Sequence, residues 1–221
     1  MRITDILWQE ATRPKAEWNR KHPLVHCDVG AASFPLPFAN EAPVSKVTQL
    51  KRGKPAANLD TPTDLDDTAV KEISAALNGI LADAFALYLK TKNFHWHISG
   101  PHFRDYHLML DDHADAIFAT TDPLAERVRK ISGTTLRSIG HISQLQSIKD
   151  NDDAFVGPNE MLRELMNDNK AVAAAMRKAH EICDKHEDVA SASLLENYID
   201  ETERRTWFLF EASRKADATG H

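Results

Sequence analysis

The chain of 221 residues has 42% hydrophobic and 27% charged residues and a formal net charge of −6, which is typical of one globular domain with an appended segment. Only two cysteines are present, Cys27 and Cys183, in no paired motif, so a disulfide scaffold and a zinc ribbon are excluded and a reducing cytoplasm is indicated. No apolar run approaches the roughly 18 residues that cross a bilayer, and the first residues are charged where a signal peptide needs apolar ones, so we predict neither a membrane span nor secretion.

The first predicted segment is a long, proline-rich arm over residues 1–62. It holds seven of the ten prolines, and its nine Lys and Arg against six Asp and Glu give it a charge of +3, whereas the remainder carries −9. Because proline removes helix and sheet hydrogen bonds, we predict mostly irregular structure there. A mildly basic arm therefore precedes an acidic body over 63–216 and a short tail over 217–221.

After the arm, apolar residues recur at helical spacing. We predict long helices over 65–98, over 102–131, from Pro158 through Cys183 and from an N-cap at Asp188 to about Arg214, with a short helix over 139–148. Gly100-Pro101 separates the first two. Four long helices with little strand signal predict an all-α fold, a four-helix bundle with a short extra helix between helices two and three.

Potential metal ligands concentrate in the second predicted helix. His107 and Asp111 are four residues apart and share a helix face, and Asp122 and Glu126 repeat that spacing with two carboxylates. Asp111 and Asp122 lie on similar faces but about 16 Å apart along the axis, too far for one ion to bridge. The chain therefore holds either two separate half-sites or one site that a second, antiparallel copy completes.

The ligand types restrict the metal. Imidazoles and carboxylates without a thiolate suit iron(II) or manganese, with zinc as a competitor. Even with His95 from the end of the first helix the donor set is sparse, which leaves coordination positions open for an oxidant. Taken singly, His107 and Asp111 also fit a surface hydrogen-bonded pair. Asp122-Pro123 by itself fits the N-cap and first residue of a new helix, and Pro123 also allows a kink in helix two.

A longer pattern surrounds these residues. It consists of His95-Trp96, Gly100, Phe103, His107, Asp111, Asp122 and Ala125-Glu126-Arg127. The pattern resembles that of the Dps family (DNA-binding proteins from starved cells), the miniferritins of the ferritin-like superfamily, and the resemblance covers about residues 60–215. No histidine has Glu three residues before it, which argues against ferritins with a site inside one chain.

The resemblance implies a ligand set and an assembly. His95, His107 and Asp111 would come from one subunit, and Asp122 and Glu126 from its neighbour across a two-fold interface. The family's dodecameric shells oxidise iron(II), preferably with hydrogen peroxide, and store the ferric mineral inside. We therefore predict a cytoplasmic ferroxidase and iron store that protects the cell and its DNA from oxidative damage.

Further residues are candidates around this centre, each with a plainer interpretation. They are Trp96, His97 and His113 beside the ligands, Asp200, Glu201 and Glu203 as a pore lining implied by the resemblance, and Lys46, Lys51, Arg52 and Lys54 as a DNA-binding patch in the arm. Trp96 is an electron donor or a packed core residue, the three acidic residues equally fit a solvated helix face, and the arm equally fits a segment packed on the shell. The alternative function is that of a DNA-compacting architectural protein, associated with the nucleoid, whose metal site is vestigial. A third interpretation is an inert assembly or a protein that binds manganese or zinc.

Overall fold

The computed structural model describes residues 59–214, which form six helices and no strand. The helices are α1 (Asp67–His97), α2 (Phe103–Ala119), α3 (Thr121–Lys130), α4 (Ile139–Leu145), α5 (Pro158–Lys185) and α6 (Val189–Ala212). With α2 and α3 together as one member, α1, α5 and α6 complete a four-helix bundle, and α4 is the short extra helix. The all-α bundle is thus confirmed. The arm and the tail lie outside the described residues, and the domain boundaries stay predictions.

The core forms along α1, whose two ends follow from local sequence. Asp66 caps the helix, its Oδ1 accepting the N–H of Ala69 at 2.8 Å, and the chain turns away at Gly100 with φ of 111°. Among the helices described, only α1 is long and apolar enough by composition to span a bilayer. More than half of its most apolar stretch is buried inside the bundle, as in the core helix of a globular protein.

The second predicted helix is divided at Thr120. Pro123 has no N–H, so it donates no helical hydrogen bond to the carbonyl of Ala119. The N–H and Oγ1 of Thr120 donate instead to the carbonyl of Ile117, at 3.1 and 2.7 Å. Because α3 begins with Thr120 as its N-cap, Asp122 lies in the first turn, and its interpretation as the N-cap is wrong.

Buried charged side chains attach the long connection after α4 to the bundle. Asp83 of α1 accepts hydrogen bonds from the N–H and Oγ of Ser147, at 2.5 and 2.8 Å, and from the N–H of Ile148 at 3.1 Å. Lys90, also buried in α1, donates to carboxylates of α5 at 2.8 and 2.9 Å. Since buried polar groups are costly without partners, the bonds of Asp83 fix the position of the connection, and those of Lys90 hold α1 against α5.

Gly133, in the turn after α3, has no room for a side chain. A Cβ there would lie 2.0 Å from Ser74 Oγ and 2.9 Å from the carbonyl of Val128. We expect Gly133→Ala to lower the free energy of unfolding by about 1–3 kcal/mol, measured by denaturant titration. The matched control is Gly79→Ala in α1, where no atom lies within 4 Å of the added Cβ, and there we expect a gain of about 0.5–1 kcal/mol. Equal effects at the two positions would contradict this packing.

Candidate metal centre

Two histidines face each other where α1 ends and α2 begins. His95 Nδ1 lies 2.8 Å from the carbonyl of His107, and His107 Nδ1 lies 2.9 Å from the carbonyl of His95. The two rings are stacked, with centroids 3.7 Å apart. A carbonyl only accepts, so each Nδ1 carries a proton, and in the neutral ring Nε2 then holds the lone pair. The backbone thereby sets both imidazoles in the tautomer in which Nε2 can bind a metal ion.

Asp111 lies one turn along α2 from His107 and is held by a lysine. Its Oδ1 is 3.8 Å from His95 Nε2, and the same oxygen accepts a hydrogen bond from Lys92 Nζ of α1. That bond lowers the pKa of Asp111 and raises the pKa of Lys92. The carboxylate is therefore ionised at neutral pH and is bound to a cation of the chain itself.

Lys92 was not among the site residues predicted from the sequence, although its position in the sequence offered one signal. Lys92 precedes His95 by three residues, a spacing that places both on one helix face. Whether the lysine reaches Asp111 depends on how α1 and α2 pack, which helical spacing does not determine.

Asp122 and Glu126 lie apart from this group. Both are exposed on α3, and Glu126 Oε2 accepts from Lys130 Nζ at 3.0 Å. Between residues 59 and 214, no set of three or more His, Cys, Asp or Glu side chains is arranged to hold a metal ion. His95, His107 and Asp111 lie close together but do not form a metal site by themselves, and the other two predicted ligands lie at the surface.

An exposed apolar surface flanks the predicted ligands in sequence. We define it by five side chains that are at least half exposed and line one cleft of about 1130 Å³: Leu89, Trp96, Phe118, Ile139 and Phe155. Trp96 adjoins His95 in sequence, and Phe118 precedes Asp122 by four residues. A contiguous apolar surface of this kind is typical of an interaction surface.

The remaining imidazole candidates lie elsewhere. His97 is exposed, and its Nδ1 lies 2.8 Å from the carbonyl of Asn93. His113 is buried against Phe208 of α6, with ring centroids 6.4 Å apart, and burial lowers its pKa to about 4. Trp96 lies on the apolar surface and is 59% exposed in the single chain. Its interpretation as a packed core residue of the bundle is therefore wrong.

The structure says less about the acidic residues predicted for a pore and the basic residues predicted to bind DNA. Asp200, Glu201 and Glu203 are exposed on α6, and Glu203 is paired with Arg177 of α5. Their role in a pore stays a prediction. The arm residues Lys46, Lys51, Arg52 and Lys54 lie outside the described part of the chain.

Comparisons with known proteins give a consistent result. The family model of the ferritin-like domain matches residues 74–217. The DNA protection during starvation protein of Agrobacterium fabrum is 30% identical over 149 residues, which cover 67% of this chain and 92% of the relative. The crystal structure of an archaeal Dps homologue from Halobacterium salinarum has a TM-score of 0.69 at 25% identity and covers 77% of this chain and 97% of its own.

A third similarity concerns the fold. The Dps protein of Vibrio cholerae O1, described as a member of a broad superfamily of ferritin-like diiron-carboxylate proteins, has a TM-score of 0.66 at 24% identity. The match covers 73% of this chain and all of that one. The fold of this chain therefore has counterparts of known structure.

Proposed function

Because this chain belongs to the Dps family, the miniferritins of the ferritin-like superfamily, we propose that it oxidises iron(II) and stores the ferric product in a shell of its own copies. One observation carries the proposal. The reciprocal bonds between His95 and His107 leave both Nε2 atoms free to bind, with the ionised Asp111 carboxylate beside them. Imidazole with carboxylate is a donor set that suits iron(II), and manganese or zinc would compete for it.

We place the oxidation site between two subunits. One chain supplies His95, His107 and Asp111, and the partner would supply its own Asp122 and Glu126, which are exposed in the single chain. The apolar surface supports this arrangement, since its burial against a second copy would favour association. Extended by the family's symmetry, such pairs build a homododecamer in the cytoplasm.

Iron is the substrate of the proposed reaction. Two iron(II) ions each give one electron to one hydrogen peroxide, which takes up two protons and leaves as two water molecules, while both ions become iron(III). Because both electrons reach the same peroxide, no hydroxyl radical is released. The carboxylates of Asp111, Asp122 and Glu126 balance the increased charge of the ions. Because the site has few ligands, coordination positions stay open for the oxidant.

Binding requires that the metal ion displace Lys92 from Asp111. We expect Lys92→Gln to raise the affinity for cobalt(II), a spectroscopic substitute for iron(II), by roughly fivefold, because the competing ammonium is removed. The measurement is a cobalt titration followed by visible absorbance. Lys71→Gln is the control, an exposed lysine of α1 with no ion pair among residues 59–214. Equal affinities of the wild type and Lys92→Gln would mean that Asp111 takes no part in binding.

DNA compaction is the second candidate function. Its support is the charge of +3 on residues 1–62 and the name of the Agrobacterium relative. Binding through several weak basic arms would be strongly salt-dependent. A gel shift at low salt that disappears when residues 1–56 are removed would support DNA compaction. It would also support an association with the nucleoid. No shift at low salt would exclude DNA compaction.

A further inference from the structure

A second cleft, of about 580 Å³, opens between α2 and α6 and is lined by none of the five proposed ligands. Two polar side chains form its floor, His113 and Arg205, which are only 8% and 4% exposed. Exposed charged side chains form its rim, namely Asp105, Asp112, Glu201 and Arg204. We call it the α2–α6 cleft.

Arg205 is a buried charge that makes no ion pair with a carboxylate among residues 59–214, although Glu201 on the same helix attracts it from a longer distance. Its Nε donates to Asn169 Oδ1 at 3.1 Å and its Nη2 to Thr202 Oγ1 at 2.7 Å, so its two protein partners are neutral. A guanidinium has five N–H donors, and three are left by these two bonds. In the part of the chain that is described, no carboxylate oxygen lies within 4.0 Å of it. A buried charge is costly unless it is paired. Binding an anion beside the guanidinium would therefore lower the free-energy cost of burying it.

His113 contributes a second unused group on the same floor. Its Nδ1 is buried and has no hydrogen-bond partner among residues 59–214. The ring meets the edge of Phe208, and the guanidinium of Arg204 lies 4.9 Å from the centroid of that same phenyl ring. Phe208 therefore contacts both the imidazole of His113 and the guanidinium of Arg204, and all three side chains line the cleft.

We propose that the α2–α6 cleft binds a tetrahedral oxyanion of the inorganic phosphate class. The free N–H groups of Arg205 and the Nδ1–H of His113 donate to its oxygens, and Arg204 adds positive charge from the rim. The rim carboxylates, Glu201 among them, repel a free anion and keep the affinity moderate. The site is separate from the oxidation of iron and does not depend on it.

The test is calorimetric titration of inorganic phosphate into the full-length assembly at constant ionic strength. We expect Arg205→Gln to weaken binding by about tenfold or more, since charge-assisted hydrogen bonds are lost. Glu201→Gln, an exposed change that leaves the fold intact, should strengthen binding by about threefold, because one repelling charge is removed. Arg177→Gln is the matched control, an exposed arginine of α5 outside the cleft, with unchanged binding.

Two results would overturn the proposal. One is that phosphate fails to bind the wild type, or binds Arg205→Gln and the wild type equally. The other is that Glu201→Gln leaves the affinity unchanged, a result that stays decisive even if Arg205→Gln does not fold. Phosphate binding is measured without iron, so its failure would leave the proposed oxidation site untouched.

Discussion

Replacing His107 and Asp111 together by alanine is expected to slow peroxide-driven oxidation of iron(II) by about 100-fold or more. The change removes one imidazole and the carboxylate that lies 3.8 Å from His95 Nε2. It also removes the bond from His107 Nδ1 to the carbonyl of His95. The rate is followed by ferric absorbance after the addition of peroxide to the iron(II)-loaded protein.

His97→Ala is the matched control for this variant. His97 is an exposed histidine two residues from His95 whose ring bonds to the carbonyl of Asn93 in its own helix, so its loss should leave the rate within about twofold of the wild type. Wild-type rates in the His107→Ala, Asp111→Ala double variant would show that the site lies elsewhere.

Mixed assemblies give the second large effect. Asp111→Asn and Asp122→Asn are each expected to be nearly inactive alone, because each removes a ligand from every site. When equal amounts pair at random, half of the pairs contain both variants, and each such pair has one intact site of two. The mixture should therefore recover about a quarter of the wild-type rate.

The control mixture combines two changes in the same half of the site. Asp111→Asn mixed with His107→Ala cannot form an intact site, and we expect no recovery. Recovery in that control, or none in the first mixture, would contradict a site shared between two subunits.

Much of the helical bundle was predictable because its signals are local. The cap at Asp188, which accepts the N–H of Ser191 at 3.1 Å, and the start of α5 at Pro158 both lie within a few residues of the feature they set. The division of the second helix at Thr120 was less accessible. Pro123 signals that a bond is missing, but which residue takes up the break depends on the hydrogen bonds that Thr120 makes to Ile117.

The candidate site was predictable only in part. Spacing along α2 places His107 and Asp111 on one face, and the structure brings His95 of another helix to them. Packing between helices determines the rest, which includes the bond from Lys92 to Asp111 and the burial of His113 against Phe208. Asp122 and Glu126 face solvent in a single chain, so the role proposed for them requires a second copy.

Stoichiometry tests the central claim most directly. Iron(II) is added anaerobically to the apo-protein, and ferric absorbance is followed as hydrogen peroxide is titrated in, with a spin trap for hydroxyl radical. The proposed function predicts rapid oxidation that ends at about two irons per peroxide, without trapped radical, and slower oxidation in air. A rate equal to that of iron(II) in buffer, or one iron per peroxide with abundant radical, would contradict it.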